Sequence, residues 1–203
     1  MVGRNSGVIV ACLALGLACG ERAVKPQSSP LPASTAQPAP SASAPSAGCD
    51  HICSGSAPTE CAKEGFAHLH AKNPTCARAA FETACRAGVM PVCLVLGGMV
   101  QVGQGGPKDP VRAVTLFQRA CDQGLQRACT NVAMARITGN GVASDAAQGF
   151  LMLKTGCDAG EPKACAVLAR SYEYGQGVDK DEKEAFRLNE RSCSLGESTG
   201  CGN

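Results

Sequence analysis

Small and apolar residues recur at helical spacing in short runs, and each run is closed by glycine. In the stretch Cys165 to Tyr174, Ala166 and Ala169, Ala169 and Tyr172, and Leu168 and Tyr172 are three or four residues apart, which sets them along one helical face. Gly175 and Gly177 follow at once, and a residue that tolerates positive φ suits a helix stop and a tight turn. Asp181 is placed to cap a second helix over Glu182 to Ser192, and Gly196 ends it. The stretches Asp109 to Cys121 and Asp145 to Cys157 repeat the plan. The pattern predicts an all-α chain of antiparallel helix pairs.

The pairs are copies of one unit. Cys85, Cys121, Cys157 and Cys193 stand 36 residues apart, and each has a partner eight residues on: Cys93, Cys129, Cys165 and Cys201. The same offset relates Gly88, Gly124, Gly160 and Gly196, then Gly103, Gly139 and Gly175, then Asp109, Asp145 and Asp181. Two helices per unit at this period predict an α/α solenoid, in which stacked pairs bury an apolar seam that one pair could not make. Upstream, Cys53 and Cys61 keep the eight-residue gap, but Cys61 to Cys93 is 32 residues, so that unit lacks about one turn of loop.

Ala166, Ala169 and Tyr172, followed by Tyr174, Gly175, Gly177 and Val178, resemble the Sel1-like repeat, an α/α solenoid unit related to the tetratricopeptide repeat. A cysteine pair in every unit is similar to the secreted, cysteine-rich Sel1 proteins known from Helicobacter. The resemblance covers roughly residues 50 to 203 and implies a rigid adaptor that binds another protein or peptide on its concave face. One unit departs from it: Gly149 stands where other units have Ala113 and Ala185. A glycine inside a helix costs about 1 kcal/mol, so that helix is expected to be the weakest.

The cysteine pairs take their meaning from the resemblance. In "CRAGVMPVC", Gly88 and Pro91 turn the chain between Cys85 and Cys93, so a disulfide there staples the second helix of one unit to the first helix of the next. Closing so short a loop removes about 2.5 kcal/mol of unfolded-chain freedom in the entropy account. The expected bonds are Cys53–Cys61, Cys85–Cys93, Cys121–Cys129, Cys157–Cys165 and Cys193–Cys201. Cys49 and Cys76 remain and are assigned to each other, although pairing among Cys49, Cys53, Cys61 and Cys76 is open from sequence. The spacing is not that of a zinc knuckle, and no metal or cofactor is expected. His51, His68 and His70 lie near these four cysteines; they are read as exposed or partly packed residues of a disulfide-bonded cap.

The N-terminus changes the picture of where the chain works. Arg4 precedes an apolar stretch, Val8 to Ala18, too short to span a bilayer, which predicts a signal peptide over residues 1–18. "LGLAC" resembles a bacterial lipobox with Gly16 and Leu17 in reversed order, and implies lipidation of Cys19; small residues before Ala18 also fit an ordinary signal peptidase cut after it. Of 14 cysteines, Cys12 leaves with the signal and Cys19 takes the lipid, which leaves an even number to pair. Residues 19–48 carry Pro26, Pro30, Pro32, Pro38, Pro40 and Pro45 and predict a disordered tether. Residues 49–84 are then an N-terminal cap with the shortened repeat, and 85–203 hold the 36-residue repeats.

Composition removes several functions. A net charge of +2 and 3% aromatics without Trp give no footprint for nucleic acid. Some cysteine-rich Sel1 proteins are described as penicillin-binding or weakly β-lactamase-like, so the resemblance offers a cell-wall-directed enzyme or β-lactam binder as the alternative. No Ser is followed three residues later by Lys, no nucleophile elbow is expected, and no His lies within the 36-residue repeats. Asp179, Asp181, Glu182 and Glu184 read as acids grouped at a helix start. No catalytic residue is assigned. The sequence reads as a lipid-anchored scaffold of a bacterial cell envelope, facing periplasm or cell surface, with an unknown protein or peptide partner and contact with the membrane through the lipid.

Overall fold

The computed structural model describes residues 48–49, 52–198 and 201; the expected signal peptide, Cys19, almost all of the tether and His51 lie outside them. Among the described residues there are eight helices and no strand: α1 Pro58–His70, α2 Pro74–Arg86, α3 Met90–Val102, α4 Pro110–Asp122, α5 Gln126–Thr138, α6 Ala146–Asp158, α7 Pro162–Tyr174 and α8 Glu182–Ser194. Each has 13 residues. Loops of seven residues (103–109, 139–145, 175–181) join odd to even helices, and turns of three (87–89, 123–125, 159–161) join even to odd. Helix, loop, helix and turn together make the 36-residue period. Between α1 and α2 only residues 71–73 intervene, so the shortened unit lacks its four residues in this loop.

Local chemistry sets the ends. α3, α5 and α7 stop at Gly103, Gly139 and Gly175, all left-handed with φ of 81, 68 and 69°. The even helices start under acceptors in register: Asn73 Oδ1 takes the Cys76 N–H at 3.2 Å, Asp109 that of Arg112 at 2.9 Å, Asp145 that of Gln148 at 2.9 Å, and Asp181 those of Lys183 and Glu184, both at 3.0 Å. α7 begins at Pro162, three residues before the start read from apolar spacing. Proline fits the first helical turn because its missing N–H has no helical partner there.

Each helix packs on the next in sequence, and α5 also meets α7 directly. The core is built from few large side chains, of which Phe81, Phe117, Leu96 and Leu153 are fully buried; alanines and cysteines fill the rest. Six cysteine pairs stand at disulfide distance with Cα separations of 4.6 to 5.5 Å: Cys49–Cys76, Cys53–Cys61, Cys85–Cys93, Cys121–Cys129, Cys157–Cys165 and Cys193–Cys201. Among the eight-residue pairs, those from Cys85 to Cys165 each bridge the last turn of an even helix and the first turn of the next odd one. The cap before α1 is held from below: Glu64 accepts from the Cys53 N–H at 3.0 Å and the Ser56 hydroxyl at 3.1 Å.

Gly149 has a packing cause that its sequence position did not suggest. It is buried, and a Cβ there would stand 2.6 Å from Ile137 Cγ1 and 2.8 Å from the Ala133 carbonyl oxygen. In the other units the counterparts of Ile137 are Gln101 and Glu173, opposite Ala113 and Ala185. Glycine at 149 makes room for the Ile137 side chain and for the Ala133 carbonyl.

Candidate binding face

Arg127, Asn131, Met134 and Thr138 follow one another at spacings of four, three and four along α5, so they share a face. The 36-residue offset carries them to Lys163, Val167, Arg170 and Tyr174 on α7 and to Pro91, Val95, Gly98 and Val102 on α3; the 32-residue offset carries them to Thr59, Lys63, Phe66 and His70 on α1. The faces of α5 and α7 look at each other: Lys163 Nζ donates to Asn131 Oδ1 across 2.9 Å. Three of the exposed large apolar residues, Phe66, Val102 and Tyr174, fall in these rows, with exposures of 42, 70 and 66%. Phe66 is fixed edge-on against Phe81 at 5.0 Å between ring centres.

The character of the face changes along the array. On α1 and α3 it offers Phe66, Pro91, Val95 and Val102, beside His70 and a Lys63 paired with Glu60. On α5 and α7 it offers Arg127, Lys163 and Arg170. There it is indented by a groove of about 550 Å³ lined by Arg127, Lys163, Val167, Arg170 and Tyr174, with Glu173, Asn189 and Glu197 along the side toward the C-terminus. A second hollow of about 310 Å³ shares Val167, Arg170 and Tyr174 and adds Met134, Ile137, Thr138 and Gln176. Lys163 is half-buried, and its pKa lies below the ordinary lysine value, first because burial disfavours the ammonium and second because of the Arg127 charge; Arg170 adds in the same direction, and Glu197 and Glu161 oppose it.

The other candidate residues are distributed elsewhere. His68 and His70 lie in the last turn of α1, and the four cysteines near them stand in two pairs at disulfide distance. Among the described residues no group of three His, Cys, Asp or Glu is placed to hold a metal ion. Asp181 caps α8 while Glu182 pairs with Lys180 at 2.9 Å and Glu184 with Arg187 at 2.6 Å; the Arg187 hydrogen bond holds the Glu184 carboxyl below its usual range. These acids serve the helix start. Sequence reasoning missed one formal match: Gly196, Ser198 and Gly200 spell Gly-x-Ser-x-Gly. A nucleophile elbow needs a strand feeding a tight turn, whereas exposed Ser198 follows α8, so this string lacks the context that makes such a serine reactive. Sequence reasoning also missed the rows, which become visible only when units are superposed and the outward face of each odd helix is known.

Comparison with known proteins agrees with this architecture. The family description "Sel1 repeat" matches residues 93–125, 126–161 and 162–197, each span holding one odd and one even helix. A Sel1 repeat protein from Oxalobacter formigenes is similar in structure, with 24% identity, a TM-score of 0.63, and coverage of 71% of this chain and 60% of that one. A protective antigen of uropathogenic Escherichia coli with an SLR fold has 24% identity and a TM-score of 0.64, over 75% of this chain and 34% of that one. This chain therefore spans less than two thirds of either. Helicobacter pylori cysteine rich protein B has 22% identity and a TM-score of 0.46, over 69% of this chain and 94% of that one. No curated protein sequence matches. With three matched units over more than half of its length, carried on eight helices in register, the chain belongs to the Sel1 repeat family.

Proposed function

We propose that this protein is an extracytoplasmic scaffold, held to a membrane of the bacterial cell envelope by lipid on Cys19, that binds another protein or a peptide on a concave face formed by the odd-numbered helices. The observation that carries the reading is the exposure of Phe66, Val102 and Tyr174 in the rows of one face. Val111, Leu151 and Phe186 are also exposed, but on the even helices; exposed apolar side chains that line up in the rows of a rigid face favour contact with a partner. The cysteines support the compartment: twelve stand in pairs at disulfide distance, an arrangement that persists in oxidising surroundings. The two outside those pairs are Cys12 and Cys19, one removed with a signal peptide and the other consumed by lipid. The proline-rich stretch before Cys49 gives the scaffold reach from the membrane.

Crosslinking of the native envelope protein followed by mass spectrometry tests the binding reading. A stoichiometric partner whose capture is lost on Val102→Asp is the expected result, and recovery of no partner would remove it. Detergent partition tests the anchor: Cys19→Ala moves the protein to the aqueous phase, whereas unchanged partition would show that no lipid is attached there.

A further inference from the structure

We propose that the C-terminal half of this face is a receptor for carboxylates: Arg127, Lys163 and Arg170 receive the acidic side chains of an extended peptide segment of the partner, and Val167 and Tyr174 take an apolar residue beside them. The inference rests on the scaffold reading above and names the chemistry of the partner.

Three cations from two helices converge on the groove, against two carboxylates, Glu173 and Glu197, on its lining. The elsewhere-typical surface arrangement in this protein is a pairing of opposite charges within a turn or so, as in Lys63–Glu60, Lys154–Asp158 and Arg187–Glu184. Here three cations share one lining with two carboxylates. Lys163 is the centre of the group: half-buried, with a neutral acceptor, Asn131, at 2.9 Å, and its ammonium disfavoured by burial and by Arg127. Arg127 and Arg170 disfavour the Lys163 ammonium while Glu197 and Glu161 favour it, and an incoming anion acts in the same sense as the carboxylates. Bidentate donation by guanidinium groups, of which Arg127 and Arg170 supply two, selects carboxylate geometry.

The form of the site favours a peptide over other anions. The cations line a groove along α7, flanked by Arg127 of α5 and Asn189 of α8, that shares Val167, Arg170 and Tyr174 with a second hollow lined by Met134 and Ile137, so acidic and apolar side chains of one extended segment are served together. A net charge of +2 and the lack of a series of stacking aromatics suit neither nucleic acid nor a flat anionic membrane.

Fluorescence anisotropy on the full oxidised protein tests this, with a labelled peptide of alternating glutamate and leucine as probe and its glutamine-for-glutamate twin as control. The acidic probe is expected to bind at least about tenfold more tightly than the twin at low salt, with the gap closing as salt is added. Lys163→Met and Arg170→Gln each weaken the acidic probe about fivefold or more, leave the twin unchanged, and leave the melting temperature close to wild type. Equal binding of the two peptides, or indifference to both substitutions, would overturn the inference while peptide binding by the face stands. Binding of neither peptide would overturn it too, and the envelope crosslink then decides the scaffold reading independently. Lys163-dependent binding to vesicles of anionic phospholipid, without peptide binding, would replace the peptide by a lipid headgroup and likewise overturn it.

Discussion

The ring of Phe117 lies directly over Gly97. A Cβ at 97 would stand 2.7 Å from Phe117 Cδ1, well inside contact distance, and both residues are buried. The relationship recurs down the array with exchanged volume: Gly65 under Phe81, then, by the repeat offset, Ala133 with Leu153 and Ala169 with Asn189. A small residue on the odd helix admits a large one on the even helix, so the pair rather than either position is specified. The neighbouring Gly98 has nothing within 4 Å of its would-be Cβ.

Adjacent glycines of α3 therefore respond to alanine with opposite signs. Gly98→Ala is expected to stabilise by roughly 0.5 to 1 kcal/mol, the ordinary helix preference of alanine over glycine. Gly97→Ala is expected to destabilise by about 1 to 3 kcal/mol, because overpacking exceeds that gain. Phe117→Leu added to Gly97→Ala recovers part of the loss, as the Ala133 and Leu153 pair already does. Denaturant melts of the oxidised proteins measure all three.

Gly149→Ala is expected to cost stability rather than relieve a weak helix, since the new methyl meets Ile137 at 2.6 Å. The double substitution with Ile137→Ala removes the side-chain clash and recovers only part of the loss, because the Ala133 carbonyl oxygen still stands 2.8 Å from the new methyl. If Gly149→Ala alone raised the melting temperature, the contacts with Ile137 and the Ala133 carbonyl would not be what keeps glycine there.

The repeat period, the helix pairs, the capping aspartates and the cysteine pairs from Cys85 onward were legible because each is a local signal repeated in register, whereas Cys49–Cys76, 27 residues apart, follows no register and was open. Asp109, Asp145 and Asp181 announce themselves by type and spacing, and the missing loop turn shows as a step of 32 residues. Gly65, Gly97 and Gly149 were not legible, because an isolated helical glycine reads as a defect until its partner on the facing helix is known. The groove was hidden for a related reason. Arg127, Lys163 and Arg170 are ordinary cations of separate units, and only the phase of α5 against α7 brings them together.

The two glycines of the last seven-residue loop separate backbone conformation from contact. Both have positive φ, 69° at Gly175 and 78° at Gly177, but a Cβ at 177 would also stand 2.5 Å from the Ala146 carbonyl oxygen, whereas 175 has nothing nearer than 3.6 Å. Gly175→Ala is expected to cost about 1 to 2 kcal/mol for the left-handed backbone alone. Gly177→Ala adds a clash with the start of α6 and costs more. Equal melting temperatures for the two variants would mean that the loop yields freely.

Lys163 is expected to titrate below ordinary lysines in an NMR titration of its side chain. Its proton is bound more weakly in the folded chain than in the unfolded one, so over the window from the folded pKa up to the unfolded value the unfolded state holds more protons and stability rises with pH. Arg127→Gln removes the second cause and leaves the first, so the pKa moves up but stays below the ordinary value. A titration unmoved by Arg127→Gln would place the two charges too far apart to act on one ligand.

The bond at the C-terminal end tests the covalent framework at its least protected point. Cys85, Cys93, Cys157 and Cys165 are buried, whereas Cys193 is half-buried and Cys201 exposed. Non-reducing digestion with mass spectrometry is expected to link Cys193 to Cys201, as it links Cys85 to Cys93, Cys121 to Cys129 and Cys157 to Cys165. Partial reduction should open Cys193–Cys201 before Cys85–Cys93 or Cys157–Cys165, because thiol exchange needs access to a sulfur. The end of α8 would then fray, with little effect on the units before it, since each unit contacts only its neighbours. Full reduction acts differently: a core with so few large side chains loses about 2.5 kcal/mol of constraint at every junction, so its melting temperature falls along the whole array. Cys201 found free, or joined to a distant cysteine, would mean that the 36-residue period does not govern the bonds.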